Sequence, residues 1–269
     1  MMIDFHTHIF PDKIARRTID FLAAKANIPP FSDGSVDGLL REMERADADI
    51  AVTLPVLTSP AQFDSVNRFA SEINQIFAEK ERRLISFAGI HPKCEEIDKK
   101  MKWIRENGFI GVKLHPDYQE TFITDAGYVR ILECAKEYDL VVVTHSGVDG
   151  GYLGQPVRCT PTLAKELIRK VPHNKLVLAH YGANEMSDEV YDLLCGEDVY
   201  FDTAYILRFI NADTFKKILQ KHGEERILFA SDSPWSSIKN DAEILRSFGL
   251  GASTEEKIFS ENAKKLLGI

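Results

Sequence analysis

The chain has 269 residues, with 33 Lys and Arg against 41 Asp and Glu, and a formal net charge of −8. That balance excludes a broad nucleic-acid surface, which needs clustered cations to neutralise phosphates, and no apolar run approaches the roughly 20 residues of a membrane span. Met1-Met2-Ile3-Asp4 has neither the basic start nor the apolar stretch of an export signal. The scattered Cys94, Cys134, Cys159 and Cys195 show no Cys-x-x-Cys spacing, so a cytoplasmic protein with reduced thiols is expected.

The first strand candidate is Met2–His6. The longest connection follows, Ile9 to Asp49, and its stretch Asn27-Ile28-Pro29-Pro30-Phe31-Ser32-Asp33-Gly34 reads as an inserted excursion over residues 10–48 with a helix of its own. Val36–Ala46 then places Leu39, Leu40 and Met43 on one helical face. After the second strand, Ile50–Pro55, Ser59-Pro60 offers a capping hydroxyl before a first-turn proline. It opens an amphipathic helix within Ala61–Lys80. Strands three to five are Leu84–Ile90, Ile110–His115 and Leu140–Thr144. Thr160-Pro161 repeats the helix-start pattern, and strands six to eight are Leu176–His180, Val199–Thr203 and Ile227–Ser231. Ser253-x-x-Glu256 fits a capping box opening the last helix.

Several strands are apolar on consecutive residues, as in Val141-Val142-Val143 and Leu176-Val177-Leu178. Strands buried on both faces read this way. Eight strands, each followed by helix, in about 250 residues predict a (β/α)8 TIM barrel, an α/β fold. A doubly wound open sheet reads the same locally, but no Gly-rich dinucleotide or phosphate loop supports it. No linker or repeat divides the chain, so residues 1–269 are expected to form a single TIM-barrel domain.

Two of the eight histidines, His173 and His222, sit at polar helix ends and are expected to be solvated. The other six (His6, His8, His91, His115, His145 and His180) fall at or just past strand C-termini, which in a barrel converge on the rim that carries the active site. His6 and His8 are two apart on a strand end, so their imidazoles share a side and can hold a divalent metal together. Asp232 follows the apolar run Ile227-Leu228-Phe229-Ala230-Ser231, either as a helix cap or as a metal-binding carboxylate that takes a proton from attacking water.

In series, Asp4-Phe5-His6-Thr7-His8, His145, Leu178-Ala179-His180 and Phe229-Ala230-Ser231-Asp232-Ser233-Pro234-Trp235 resemble the amidohydrolase superfamily. The branch they resemble is amidohydrolase-2, related to aminocarboxymuconate semialdehyde decarboxylase. Gly111-Val112-Lys113-Leu114-His115-Pro116 and Glu261-Asn262-Ala263-Lys264-Lys265-Leu266-Leu267-Gly268 are similar to that branch as well. The resemblance implies a barrel, a divalent metal (usually zinc) and either hydrolysis or non-oxidative decarboxylation. It implies His6, His8, His145 and Asp232 as metal ligands, with His180 behind them or on a second metal. Lys113 corresponds to a lysine that is carboxylated and bridges two metals in some members. The alternative is a stem packed in the barrel mouth with an ammonium paired to an acid or a substrate carboxylate. One tightly held Zn is expected, with Mn or a second metal as alternatives.

His91 and His115 each precede a proline and either contact substrate or tie down loops. The Gly-rich loop Val148–Gly154 carries Tyr152, an aromatic able to cover a ligand. In chemical terms, a metal held by imidazoles and a carboxylate activates water at neutral pH. Asp232 would accept its proton and His180 would polarise a carbonyl or hold the oxyanion. This favours a metal-dependent hydrolase of a small-molecule amide, ester or lactone. A decarboxylase (a lyase) of an aromatic or muconate-like acid would also need a basic residue such as Lys113 or Arg208. A metal-binding barrel without activity would lack a ligand such as Asp232, which is present. A small-molecule substrate, no nucleic-acid or membrane partner, and a homodimer formed through the outer helices complete the expectation.

Overall fold

The structure, a computed structural model, describes residues 1–269. Its strands are β1 (Ile3–Thr7), β2 (Ile50–Thr53), β3 (Arg83–Ser86), β4 (Ala88–Gly89), β5 (Gly111–Leu114), β6 (Val141–Thr144), β7 (Leu176–Leu178), β8 (Tyr200–Asp202) and β9 (Ile227–Leu228). All pair in parallel with their sequence neighbours. β3 and β4 are two halves of the third predicted strand, interrupted at Phe87, whose N–H still donates to Thr53 O at 3.0 Å. Counted together they leave eight strands, as predicted. The ring closes where Phe5 N donates to Phe229 O (2.9 Å) and His8 N to Ser233 O (2.7 Å).

Eight helices alternate with the strands: α2 (Val36–Ala46), α3 (Phe63–Phe77), α4 (Ile97–Glu106), α5 (Ala126–Glu137), α6 (Pro161–Lys170), α7 (Ser187–Leu193), α8 (Ala212–His222) and α9 (Ile238–Ser247). The excursion after β1 contributes α1 (Asp12–Ala26) ahead of α2. Both predicted proline starts are built as read. Ser59 forms a capping box with Gln62, and Thr160 Oγ accepts from Leu163 N at 3.3 Å. The expected box at Ser253 does not form. The helix α10 (Ala252–Glu256) starts two residues earlier behind Gly251, which places Ser253 inside the helix, and a π-turn (Lys257–Glu261) leads into α11 (Asn262–Leu267).

Two apolar layers explain the consecutive hydrophobics. Val52, Phe87, Val141, Val143, Val177 and Leu228 fill the barrel interior, and Leu266 and Leu267 of α11 pack onto this cluster. Their neighbours Ala51, Val112, Val142, Leu178 and Phe201 face outward into a larger cluster shared with the helices. Burying large side chains on both faces of each strand, at about 25 cal/mol per Å2 of apolar surface, holds the ring. In β5 the inward positions are Gly111 and Lys113. A Cβ on Gly111 would come within 2.4 Å of the Phe87 ring, so glycine leaves that ring its space. Lys113 then takes the mouth. No helix is long and apolar enough to cross a membrane.

His173 and His222 are buried, against expectation. Each imidazole bonds a carbonyl just before a strand: His173 Nε2 meets Leu140 O at 2.8 Å, and His222 Nε2 meets Val199 O at 3.0 Å. The His222 ring also stacks on Phe201 at 3.8 Å. Flanking polar residues suggested solvent, whereas the rings satisfy carbonyls that the strands leave over. Burial lowers the His222 pKa from 6.5 to about 4. The unfolded chain therefore takes up a proton below pH 6.5 that the folded chain refuses, and stability falls as pH drops towards 4. The full effect is on the order of 3 kcal/mol. Urea unfolding of the parent and of His222→Gln at pH 7 and pH 4.5 checks this: the parent should lose more stability than the variant. Equal losses contradict it.

Candidate metal centre at the barrel mouth

β1 delivers two imidazoles to the interior through an irregularity. Asp4 pairs with Ala51 and Thr7 with Thr53, so β1 spends one residue more than β2 over that stretch. This bulge re-aims the strand. Phe5 packs inside, yet His6 and His8 also reach the mouth, while Thr7 turns away and donates to Val52 O at 2.9 Å. At the last strand, Asp232 takes a left-handed backbone (φ 67°) and its N–H donates to His6 O at 2.8 Å. Such a conformation is costly for a residue with a Cβ and persists where surrounding bonds enforce it.

The three side chains converge. His6 Nε2 and His8 Nε2 are 3.2 Å apart, and Asp232 Oδ1 lies 3.5 Å from the first and 3.1 Å from the second. The outer bonds set the protonation. His8 Nδ1 is 2.8 Å from Leu54 O and His6 Nδ1 is 2.9 Å from Asp202 Oδ2, so each Nδ1 carries the hydrogen and each Nε2 is a bare lone pair in the neutral ring. Lone pairs and a carboxylate aimed at one point repel unless a cation sits among them. Imidazoles backed by a carboxylate or a carbonyl are the usual donor set for a divalent metal. His6, His8 and Asp232 therefore form a fitting cation site.

Lys113 Nζ lies 2.8 Å from His6 Nε2. The acid partner expected for this ammonium is replaced by an imidazole, because Lys113 reaches from β5 across the barrel mouth to the end of β1. Burial lowers the Lys113 pKa to about 8, against the pull of Asp202 and Asp232. Burial first, and the Lys113 charge second, hold His6 well below the ordinary histidine range, which keeps its lone pair available.

His145 and His180 form the next layer. His180 has a left-handed backbone (φ 60°), and its N–H donates to Asp202 Oδ1 at 2.9 Å. Its Nδ1 is 3.0 Å from Ala204 O and its Nε2 is 2.8 Å from His145 Nδ1. The carbonyl claims the Nδ1 hydrogen, so Nε2 accepts from His145. The neutral His180 ring then has no free N–H for a substrate oxyanion, the role the sequence suggested. His145 stacks on His115 (ring centroids 4.2 Å, 8°) and groups with His115 and Asp149, separately from His6, His8 and Asp232.

The remaining candidates divide. His91 Nδ1 accepts from Lys93 N at 3.1 Å, a loop-holding bond. His115 Nε2 is 3.3 Å from Asp149 Oδ2. Tyr152 packs edge-on to Tyr118 at 5.1 Å, with Lys25 of α1 over its ring at 3.5 Å, so the excursion meets the loop after β6. Arg208 lies over the Tyr205 ring at 4.7 Å and donates to Trp235 O at 2.7 Å.

Sequence reasoning passed over Asp202, Asp4, Asp117 and Asp149. Asp202 supports both His6 and His180, and it ends the short run Tyr200-Phe201-Asp202 as Asp232 ends its own. That position was the available sign. Asp4 Oδ1 accepts from Ser231 N (3.0 Å) and His6 N (3.2 Å), tying the first and last strand ends together, and burial raises its pKa to about 7.

The molecule is thus a (β/α)8 barrel with side chains that could hold a metal ion gathered at its mouth. The chain belongs to the Amidohydrolase family, whose model matches residues 3–269. Solved structures similar to it include 2,6-dihydroxybenzoate decarboxylase from Rhizobium (14% identity, TM-score 0.68, covering 99% of this chain and 98% of that one). A dihydroxybenzoic acid decarboxylase from Polaromonas sp. JS666, with bound manganese and the inhibitor 2-nitroresorcinol, is 15% identical (TM-score 0.70, 99% and 96% covered). A probable 2-pyrone-4,6-dicarboxylic acid hydrolase from Acinetobacter baumannii, with citric acid bound, is 13% identical (TM-score 0.69, 100% and 99% covered). At these identities the likeness is one of fold. No curated protein sequence matches the chain.

Proposed function

We propose that the chain is a metal-dependent hydrolase acting on an amide, ester or lactone of a small molecule. The observation that carries this reading is the convergence of His6 Nε2, His8 Nε2 and Asp232 Oδ1, with the far nitrogen of each imidazole already engaged. Zn2+ is the cation proposed, with Mn2+ as the alternative; when bound it supplies Lewis acidity and an activated water. Asp232 accepts the proton of the attacking water and returns it to the leaving group. His6 Nε2 has one lone pair and cannot serve both a cation and Lys113, so the lysine is released from its 2.8 Å contact when the site fills. Its ammonium then faces the substrate, where it stabilises developing oxyanion charge. This gives Lys113 the part that His180 is not free to play.

The same lysine supports a second reading, decarboxylation, in which it would orient a substrate carboxylate beside the cation. The fold likeness to enzymes named as dihydroxybenzoate decarboxylases motivates keeping it. Turnover in H2(18)O separates the two. Hydrolysis of an ester, amide or lactone places one labelled oxygen in the product carboxylate. CO2 release with no label in the organic product contradicts the hydrolase reading.

A further inference from the structure

Beside the loop that carries Asp232 stands an arginine that the mechanism above does not use. Arg208 closes the short turn Ile206–Arg208, which follows the C-terminal end of β8, and its Nη2 donates to Trp235 O at 2.7 Å, three residues past Asp232. Tyr205 N donates to Ser231 O at 3.2 Å and Phe31 N to Pro234 O at 2.7 Å, so the residues around the guanidinium are tied to that same loop. The Tyr205 hydroxyl, its pKa raised chiefly by burial, lies within electrostatic reach of both Arg208 and Asp232.

Three rings surround the charge. The guanidinium carbon is 4.7 Å from the centre of the Tyr205 ring, 5.1 Å from that of Phe209 and 5.7 Å from that of Phe31. Phe209 is 65% exposed and Phe31 42%, so apolar surface stands uncovered next to a cation. Arg208 Nε is buried and has no hydrogen-bond partner. A buried donor left without an acceptor is destabilising and marks a place where a partner is missing. No acid of the chain fills it. Arg158 and Arg226 pair with Asp117 and Asp198 at 3.3 and 2.7 Å, whereas Arg208 makes no ion pair. Asp241 is in electrostatic reach, but its Oδ1 accepts from Ser236 Oγ at 2.9 Å and burial raises its pKa to about 7, which leaves it only partly charged at neutral pH.

We propose that Arg208 holds a carboxylate of the substrate, apart from the bond that is cleaved, with Phe31 and Phe209 covering the carbon skeleton that bears it. The Nε–H and a neighbouring Nη–H form a planar fork that matches the two oxygens of a carboxylate. One guanidinium suits a single negative charge. The inference rests on the hydrolase reading and narrows its substrate to a small carboxylic acid that also contains an amide, ester or lactone. It also gives the excursion after β1 a part in specificity, through Phe31.

The test is calorimetric titration of the full chain with benzoate and with benzamide, a neutral molecule of similar shape. Stripping the metal removes the other cation that a carboxylate would seek. The parent should bind benzoate more tightly than benzamide by about tenfold or more, the scale of paired charge-assisted hydrogen bonds. Arg208→Gln should abolish that preference and leave benzamide binding unchanged. Arg208→Lys keeps a charge among the rings without the fork and should retain only part of the preference, which keeps the experiment decisive if the glutamine variant fails to fold. No preference in the parent, a preference kept in full by either variant, or one lost instead on Lys113→Met overturns the inference. A melting temperature lowered by Arg208→Gln with the preference intact would show a purely structural arginine. Turnover in H2(18)O judges the hydrolase reading separately: benzoate held through Arg208 by a chain whose product takes up no label leaves the carboxylate site standing and fails that reading alone.

Discussion

On the proposed function, Asp232→Asn should lower turnover by about 10²–10⁴-fold, the contribution of a positioned general acid–base group, while the folded chain should still take up its cation. The amide oxygen of asparagine can occupy the Oδ1 position 3.1 Å from His8 Nε2, and the two imidazoles remain. What the variant loses is the negative charge and the basicity that accept a proton from water. The left-handed backbone at this position, held by the Asp232 N to His6 O bond, is tolerated by asparagine as readily as by aspartate. The fold should therefore survive. Metal content by elemental analysis and rates on one hydrolysed substrate, compared with the parent, decide it. Parent-like turnover contradicts the role.

Asp202→Asn should weaken cation binding by about 10–100-fold, the usual effect of removing the group behind a ligating histidine. One Asp202 oxygen receives His6 Nδ1, and the other receives the N–H groups of His180 and Ala204 at 2.9 and 3.1 Å. Asparagine has one acceptor oxygen and an NH2 group. Either the His180 turn loses its anchor or His6 Nδ1–H meets a donor and the ring turns. In both cases His6 Nε2 is no longer presented as a fixed lone pair. A purely structural role would lower the melting temperature and leave the affinity of the folded protein unchanged. Equilibrium dialysis against Mn2+ together with a melting curve separates these outcomes, and parent-like affinity contradicts the positioning role.

Much of this was legible from local pattern. The i, i+2 spacing of His6 and His8 and the apolar runs ending at His145 and Asp232 follow from strand geometry and burial on both faces. The bulge was not legible. Strict alternation would turn Phe5 inward and His6 outward, and only the extra residue in β1 brings both inside. Asp202 was missed because β8 is three residues long and its carboxylate works through another residue's ring. Lys113 and His180 were placed in the right region, but their roles hang on which hydrogen sits on which nitrogen. That depends on groups far along the chain, Asp202 for the His6 ring that Lys113 meets and Ala204 O for His180. His173 and His222 misled because polar neighbours in sequence say nothing about the carbonyls just before the strands, which their rings satisfy.

The most direct measurement is an anomalous difference map from a crystal of the Mn2+-loaded protein. The account predicts a peak bonded to His6 Nε2, His8 Nε2 and Asp232 at about 2.0–2.2 Å, distances typical of nitrogen and carboxylate ligands. A fully loaded crystal with no density among those three side chains would contradict it.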